Sequence, residues 1–306
     1  MTHAGNASPQ VSVLMTAYNR EKYIGQAIES ILHSTFADYE LIIVDDCSND
    51  NTYQIAESYS KIDSRIRLFR NEANLGDYPN RNRAASLARG KYIKYVDSDD
   101  LIYEQGLQLF FDSMESSPGA AVAFSSRKWV DDHSFPLLLE GGHTFRMHFF
   151  RNGFLDIGPS GVMIRKDAFE RYGPFTGKRM IGDAELWMKI ALHEPVLLIE
   201  PDLIYWREHG EQEYKAGIRD SIYVELVLSL IVEVVSDPRC ALTAREKKEV
   251  IGYYKNATLR GLVKMALFRG RVSNALRIFL KSRFTFIEFF HSVFFIPRMR
   301  KNLKSS

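Results

Sequence analysis

Three carboxylates stand within four residues at Asp97, Asp99 and Asp100, directly after an apolar segment rich in Tyr, Ile and Val. Carboxylates this close repel one another, and a divalent cation relieves that repulsion. Mg²⁺ and Mn²⁺ prefer oxygen ligands and are often held by one or two carboxylates plus substrate phosphates, where they stabilise a departing diphosphate. A solvated acidic turn that caps a helix beginning near Leu101 explains the cluster equally well.

Polar clusters also follow three earlier apolar segments. They are Tyr18-Asn19-Arg20, Asp45-Asp46-Cys47-Ser48 and the segment 71–76. In a parallel sheet the loops beyond the carboxyl ends of the strands carry the ligand-binding groups. These loops offer side chains suited to a base, a ribose or phosphates. Asp45 and Asp46 taken alone also fit a turn or a helix cap.

Alternating strands and helices must position these loops. Apolar, β-branched runs predict strands at 11–17, 40–44, 65–70, 92–96 and 120–124. Apolar residues at helical spacing predict helices at 21–34, 51–60, 80–89 and 101–116. This alternation predicts an α/β fold with a mostly parallel central sheet flanked by helices.

The last third of the chain has a different pattern. From Asp220 onward it is helical, and Asp237-Pro238 ends an almost continuously apolar segment. We therefore expect a catalytic domain at residues 1–215 and a helical extension at 216–306. The segment 129–154 mixes aromatics with Gly141-Gly142 and three histidines, and we expect an acceptor-side loop region there.

Composition indicates a globular enzyme. The chain has 306 residues, 45% of them hydrophobic and 25% charged, which excludes a disordered or fibrous protein. Cys47 and Cys240 give no disulfide framework, and residues 1–10 show no secretory pattern. We expect a cytoplasmic protein, and a net charge of +2 gives no reason to expect a nucleic-acid partner.

Several motifs in order carry a family resemblance. The runs VSVLMTAYNR at 11–20, ELIIVDDCS at 40–48 and Gly90-Lys91-Tyr92-Ile93 leading into Asp97-Ser98-Asp99-Asp100 resemble glycosyltransferase family 2, in particular its spore-coat polysaccharide synthesis type. The resemblance covers about residues 10–210. It implies the GT-A fold and an inverting transferase with a nucleotide-sugar donor, a UDP-sugar before a dTDP-sugar.

The resemblance also implies a donor site. Thr16 and Tyr18 would contact and stack on the base, and Asp46 would accept from the base N3–H, which favours uracil or thymine. Arg81 would support Asp46 or the diphosphate, although a helix-surface ion pair explains this arginine as well. The implied nucleotide-binding residues are Thr16, Ala17, Tyr18, Arg20, Asp46, Arg81, Asp97 and Ser98.

The same resemblance places the metal, Mn²⁺ or Mg²⁺. Asp99 would be its ligand, with Asp100 in a supporting position. The segment Tyr205-Trp206-Arg207-Glu208-His209-Gly210 is similar to a late Arg-x-His element that approaches the diphosphate or the metal. His209 is therefore a second candidate ligand, and a purely structural histidine is the alternative.

Asp183 is the candidate general base. It lies in Met180-Ile181-Gly182-Asp183-Ala184-Glu185, which resembles the family segment that carries this group. Inversion needs a carboxylate opposite the leaving nucleotide to take the proton of the acceptor hydroxyl. The family often has Glu-Asp here, whereas this chain has Gly182-Asp183. Asp183 also fits the N-cap of the helix that follows.

The C-terminal tail is basic and aromatic. From Lys264 to Ser306 there are ten Lys or Arg against one acid, Glu288, and the segment 284–296 is crowded with Phe, Ile and Val. The apolar stretch is shorter than the ~20 residues that span a bilayer. We expect an amphipathic helix on an anionic membrane surface, at the inner face of the cell membrane. A docked helix or a homo-oligomer interface is the alternative.

These expectations combine into one function. We expect transfer of a sugar from a UDP-sugar to a hydroxyl of a glycan or lipid-linked acceptor in surface polysaccharide synthesis. An inactive nucleotide-sugar-binding scaffold of a polysaccharide assembly complex is the alternative from another class. A nucleotidyltransferase ranks lower, because Tyr18-Asn19-Arg20 is not a glycine-rich phosphate loop.

Overall fold

Short apolar segments form the first strands, and amphipathic segments form the helices between them. In the computed structural model these elements are β1 Val11–Ala17, α1 Ile24–Leu32, β2 Tyr39–Asp45, α2 Thr52–Ser60, β3 Ile66–Arg70, α3 Asp77–Ser86 and β4 Tyr92–Tyr95. All seven residues of β2 are buried, as expected for a strand covered on both faces. The predicted alternation is confirmed, with element ends shifted by a few residues.

Four further helices and six further strands complete this part of the description. They are β5 Leu101–Ile102, α4 Gly106–Ser116, β6 Val122–Ser125, β7 Leu137–Leu139, α5 Gly141–Arg146, β8 Val162–Arg165, α6 Lys166–Tyr172, α7 Gly182–Ala191, β9 Val196–Ile199 and β10 Ile204–Tyr205. The structure describes residues 8–126, 134–210, 222–281, 284, 285 and 287.

One eight-stranded sheet organises the strands in the order β3-β2-β1-β4-β8-β6-β9-β7. Only β8 and β7 run antiparallel to their neighbours, so the predicted mostly parallel sheet is confirmed. Its core packs the apolar face of α1, with Ile24, Ala27, Ile28 and Ile31 at helical spacing, against buried strand residues such as Val13 and Leu41. Burial of this kind contributes about 25 cal/mol per Å² of apolar surface.

The helix predicted at 101–116 begins only at Gly106. Leu101 and Ile102 instead form β5, which pairs antiparallel with β10 in a separate two-stranded sheet. Pairing between two strands that are about a hundred residues apart in sequence overrides the local helical pattern. The acidic cluster before Leu101 therefore caps no helix there, and that alternative is wrong.

Contacts divide the chain into two units. One contains Met1–Glu140 and Phe154–Arg207, and the other contains Gly141–Gly153 and Glu208–Ser306. The predicted boundary near residue 215 falls outside the described residues, and the two-domain division stays a prediction.

Among its described residues, the second unit contains three long helices besides α5. They are α8 Ile222–Ser236, α9 Ala244–Arg269 and α10 Val272–Lys281. A capping box between Thr243 and Glu246 starts α9, and Gly270, with φ of 63°, ends it. Of the helices that the structure describes, none is long and apolar enough to cross a bilayer. Most of the aromatic segment 284–296 lies outside the described residues.

Candidate active site

The loops after β1 and β2 meet at one edge of the sheet. Ala17 lies opposite Asp45 in the parallel register, and the Asp46 N–H donates to the Ala17 carbonyl at 2.8 Å. Asn19 and Cys47, one in each loop, have left-handed backbone conformations with φ of 53° and 61°. Non-glycine residues seldom adopt this conformation, and those that do concentrate at functional sites.

The buried Asp46 carboxylate organises the loop 71–76. It accepts hydrogen bonds from the Leu75 and Gly76 N–H groups, both at 2.9 Å, and from the side-chain amide of Asn71. Gly76 has φ of 87°, a conformation that favours glycine. Asp46 therefore fixes the loop, and its hydrogen bond to a base stays a prediction.

Arg81 connects α3 to the acidic cluster. Its Nη1 donates to Asp97 Oδ1 at 2.6 Å and its Nε donates to Asp77 Oδ1 at 2.7 Å, while the side chain is only 10% exposed. Charge-assisted hydrogen bonds of this length are the strong ones. Arg81 thus forms an ion pair with Asp77 on its own helix, as the alternative interpretation expects, and it also reaches Asp97 in the acidic cluster.

Two arginines hold the rest of the cluster. Arg20 Nε donates to Asp99 Oδ2 at 3.1 Å. Arg207 donates from Nε to the Asp99 carbonyl at 2.9 Å and from its backbone N–H to Asp100 Oδ1 at 3.2 Å. Burial, together with the charges of Asp97 and Asp99, raises the pKa of Asp100 to about 7. The cluster therefore favours additional positive charge.

These carboxylates fit a Mg²⁺ or Mn²⁺ ion shared with a substrate. Within residues 8–126, 134–210 and 222–281, no group of three or more His, Cys, Asp or Glu is arranged to hold a metal by itself. Such ions need only one or two carboxylates when phosphates and water complete their coordination. The Asp99 side chain is 17% exposed, so it can reach a ligand in solution.

A buried lysine lies beneath the cluster. Lys94 in β4 is 0% exposed, and its Nζ donates to the carbonyls of Tyr95, at 2.8 Å, and of Ser160. The Ser160 hydroxyl accepts from the Asp97 N–H at 3.0 Å. Burial lowers the pKa of Lys94 to about 7, against the raising effect of Asp97 and Asp100. Through these hydrogen bonds, Lys94 and Ser160 fix the main chain where the acidic cluster begins.

Asp183 lies in the first turn of α7. The helix begins at Gly182, so Asp183 is not its N-cap. Its Oδ1 accepts from the Ala184 N–H at 2.8 Å and from the Tyr78 hydroxyl at 3.3 Å. Burial raises the pKa of Asp183 to about 6, while the Ala184 N–H and the charge of Arg81 lower it. Arg81 therefore acts on both Asp183 and the acidic cluster.

The remaining predicted residues differ in exposure. Ala17 and Ser98 are buried, whereas Tyr18 is 41% exposed, and its stacking on a base stays a prediction. Thr16 is half-buried near the end of β1. His209 belongs to the second unit, whereas Asp99 belongs to the first, and its metal role stays a prediction.

Sequence reasoning missed two side chains at this site. Lys94 was detectable as a lysine inside an otherwise apolar strand. Tyr78 gave no comparable signal, because its contact with Asp183 joins residues 105 positions apart.

Solved structures share this fold. Over 92% of this chain and 79% of the other, Staphylococcus aureus TarS 1–349 in complex with UDP-GlcNAc matches with a TM-score of 0.59 at 19% identity. The mannosyltransferase PcManGT of Pyrobaculum calidifontis, in complex with GDP-Man and Mn²⁺, matches 92% of this chain and 78% of its own with a TM-score of 0.61 at 17% identity. The fold is thus the GT-A fold.

Relatives found by sequence similarity are also described as glycosyltransferases. The glycosyltransferase GlyG of Streptococcus pneumoniae is 33% identical over 217 residues, which is 66% of this chain and 72% of GlyG. An uncharacterised glycosyltransferase of Methanocaldococcus jannaschii is 39% identical over 127 residues, 41% of this chain but only 44% of that relative. Residues 12–173 match the model of "Glycosyl transferase family 2". Since that match spans more than half of the chain and includes the loops after β1 and β2 and the acidic cluster, the chain belongs to glycosyltransferase family 2.

Proposed function

We propose that this protein is an inverting glycosyltransferase that moves a sugar from a nucleoside-diphosphate sugar to a hydroxyl of a glycan or lipid-linked acceptor. The observation that carries the proposal is Arg81, which pairs with Asp97 in the acidic cluster and acts electrostatically on Asp183. The acidic cluster and Asp183 are therefore both close enough to Arg81 to feel its charge.

Asp183 is the general base of this reaction. Its pKa of about 6 leaves the carboxylate mostly ionised at neutral pH, yet basic enough to take a hydroxyl proton. The deprotonated oxygen attacks the anomeric carbon, the bond to the diphosphate breaks, and the electron pair leaves with the nucleotide. One displacement of this kind inverts the anomeric configuration.

Asp99, with Asp97 beside it, would hold the metal. A divalent cation bound there would stabilise the negative charge that the diphosphate gains. Arg20, which pairs with Asp99, would add a second positive charge on the donor side. The raised pKa of Asp100 supports this placement, since the cluster favours added positive charge.

The donor is a UDP-sugar in this proposal, with a dTDP-sugar second. Tyr18 would stack on the base, Thr16 and Ala17 would line its pocket, and Asp46 would read the N3–H. Support comes from the resemblance to the spore-coat polysaccharide synthesis type and from TarS, whose structure holds UDP-GlcNAc. PcManGT, which holds GDP-Man, shows that the fold also takes a guanine nucleotide.

We further propose that the protein works at the inner face of the cell membrane, in surface polysaccharide synthesis. The helix α10 supports this: it exposes Val272, Leu276 and Leu280, each more than half exposed, at a spacing of four residues. Its opposite face, with Ala275 and Ile278, is buried. Exposed basic residues, Arg271 and Arg277, flank the apolar row and complement an anionic lipid surface.

Calorimetric titration of UDP, dTDP, GDP and ADP, with and without Mn²⁺, tests the donor proposal. We expect UDP to bind most tightly, and Mn²⁺ to strengthen binding. Asp99→Ala should abolish the Mn²⁺ effect, whereas Asp112→Ala, a change at an exposed aspartate on α4, should leave it intact. If no diphosphate binds under either condition, both the glycosyltransferase proposal and the nucleotide-sugar-binding scaffold alternative fail.

A further inference from the structure

Tyr78 touches the candidate base in two ways. This second residue of α3 is 7% exposed, and its hydroxyl donates to Asp183 Oδ1 at 3.3 Å and accepts from the Asp183 N–H at 3.2 Å. Its ring packs on Phe175 with the centroids 5.2 Å apart. One rigid side chain therefore contacts both the main chain and the side chain of Asp183.

Gly182 makes this contact sterically feasible. A Cβ atom at this position would lie 2.8 Å from two ring carbons of Tyr78, Cε2 and Cζ, closer than real Cβ contacts come. Any larger residue would push the ring away from α7. The close approach explains why glycine stands before Asp183, where the family resemblance leads one to expect glutamate.

The two oxygens of the Asp183 carboxylate differ in their surroundings. Oδ1 takes both donors, the Ala184 N–H and the Tyr78 hydroxyl. Among the residues that the structure describes, no donor contacts Oδ2. The carboxylate is thus held through one oxygen, and the other is left to accept a proton.

We propose that Tyr78 is a positioning residue that, together with Gly182, orients Asp183 so that Oδ2 faces the acceptor hydroxyl. The inference rests on the proposed role of Asp183 as general base. In a buried site a misplacement of about 1 Å costs about 100-fold in rate, so the orientation of one carboxylate matters to catalysis. Tyr78 and Gly182 then form one unit, and a change in either displaces Asp183.

The first test is Tyr78→Phe, which keeps the ring and removes the hydroxyl. A hydrogen bond to a carboxylate favours its charged form, so its loss should raise the Asp183 pKa by about half a unit to one unit. NMR of protein with ¹³C-labelled aspartate, with the signal assigned by Asp183→Asn, measures this directly and needs no substrate. Tyr39→Phe is the control, since its buried hydroxyl donates to the Ile31 carbonyl at 3.1 Å. An unchanged pKa in Tyr78→Phe overturns the inference.

Turnover separates this inference from the proposed function. The kcat for UDP release from UDP-glucose and UDP-GlcNAc should fall about tenfold or more in Tyr78→Phe, with little change in KM. The pH at which activity is lost on acidification should also be higher in this variant. If Asp183→Asn keeps full activity, the proposed base is wrong. If Asp183→Asn is inactive while Tyr78→Phe keeps the wild-type rate and profile, only the positioning role is wrong.

A double-mutant cycle tests the unit formed by the two residues. Gly182→Ala should destabilise the protein when Tyr78 is present, because the added methyl meets the ring. In a Tyr78→Ala background the same change should be neutral or stabilising, since alanine favours a helix more than glycine does. Equal effects of Gly182→Ala in both backgrounds would contradict the packing argument.

Discussion

At the scale of single residues, the raised pKa of Asp183 predicts a pH dependence of catalysis. As the proposed base, Asp183 would work only when ionised, and burial raises its pKa to about 6. We therefore expect kcat/KM to fall about tenfold per pH unit below pH 6 and to level off above it. UDP release measured from pH 4.5 to 8 checks this. A profile that stays flat down to pH 5 would show that another group takes the proton.

The raised pKa of Asp183 also affects the stability of the fold, which falls as the pH rises, whereas the expected activity increases. Because the folded-state pKa of Asp183 lies above the ordinary value of 3.8, folding favours the protonated form. The stabilisation from this group is complete below about pH 4 and is lost as the pH rises through about 6. Asp183 thus weakens the fold at the pH where the proposed base would be ionised, as polar groups at functional sites often do.

At the scale of elements, β4 carries a second titrating group. Burial lowers the pKa of Lys94 to about 7, so between pH 7 and 9 the unfolded chain binds a proton that the folded chain lacks. Unfolding free energy should therefore rise over this window, by about 2 kcal/mol. Urea unfolding at pH 7 and pH 9 measures it.

Two variants isolate this contribution. Lys94→Met should remove the rise between pH 7 and 9. Lys189→Met is the matched control and should keep the rise. Lys189 also donates to a carbonyl, that of Tyr172 at 2.7 Å, but it is exposed rather than buried. A rise that survives in Lys94→Met would show that other groups cause it.

Elements that depend on local pattern were predictable. The β-branched run at 11–17 is β1 with the same ends, and the helix of 51–60 appears as α2 one residue shorter. The start of the helix predicted at 101–116 was wrong, because β5 forms through pairing with β10, which a local pattern does not contain. The role of Asp183 as general base stays a prediction from the resemblance, whereas its contact with Tyr78 could only be seen in the fold.

At the scale of the whole molecule, the C-terminal part combines an excess of positive charge with exposed apolar side chains. The ten basic residues against one acid between 264 and 306 leave the remainder of the chain net acidic. Leu276 and Leu280 on α10 are 56% and 66% exposed. Each leucine that enters a lipid interface gains up to about 2 kcal/mol, and the cations add an attraction that salt screens.

Vesicle binding tests this surface. We expect the protein to sediment with phosphatidylglycerol vesicles and much less with phosphatidylcholine vesicles, and salt should weaken the binding. The double variant Leu276→Ser/Leu280→Ser should bind about tenfold or more weakly. Ile62→Ser is the matched control, because Ile62 is 78% exposed and lies in the other unit. If the double variant keeps its vesicle binding, or if it changes only the self-association seen in sedimentation velocity, α10 is not a membrane surface and the homo-oligomer alternative gains support.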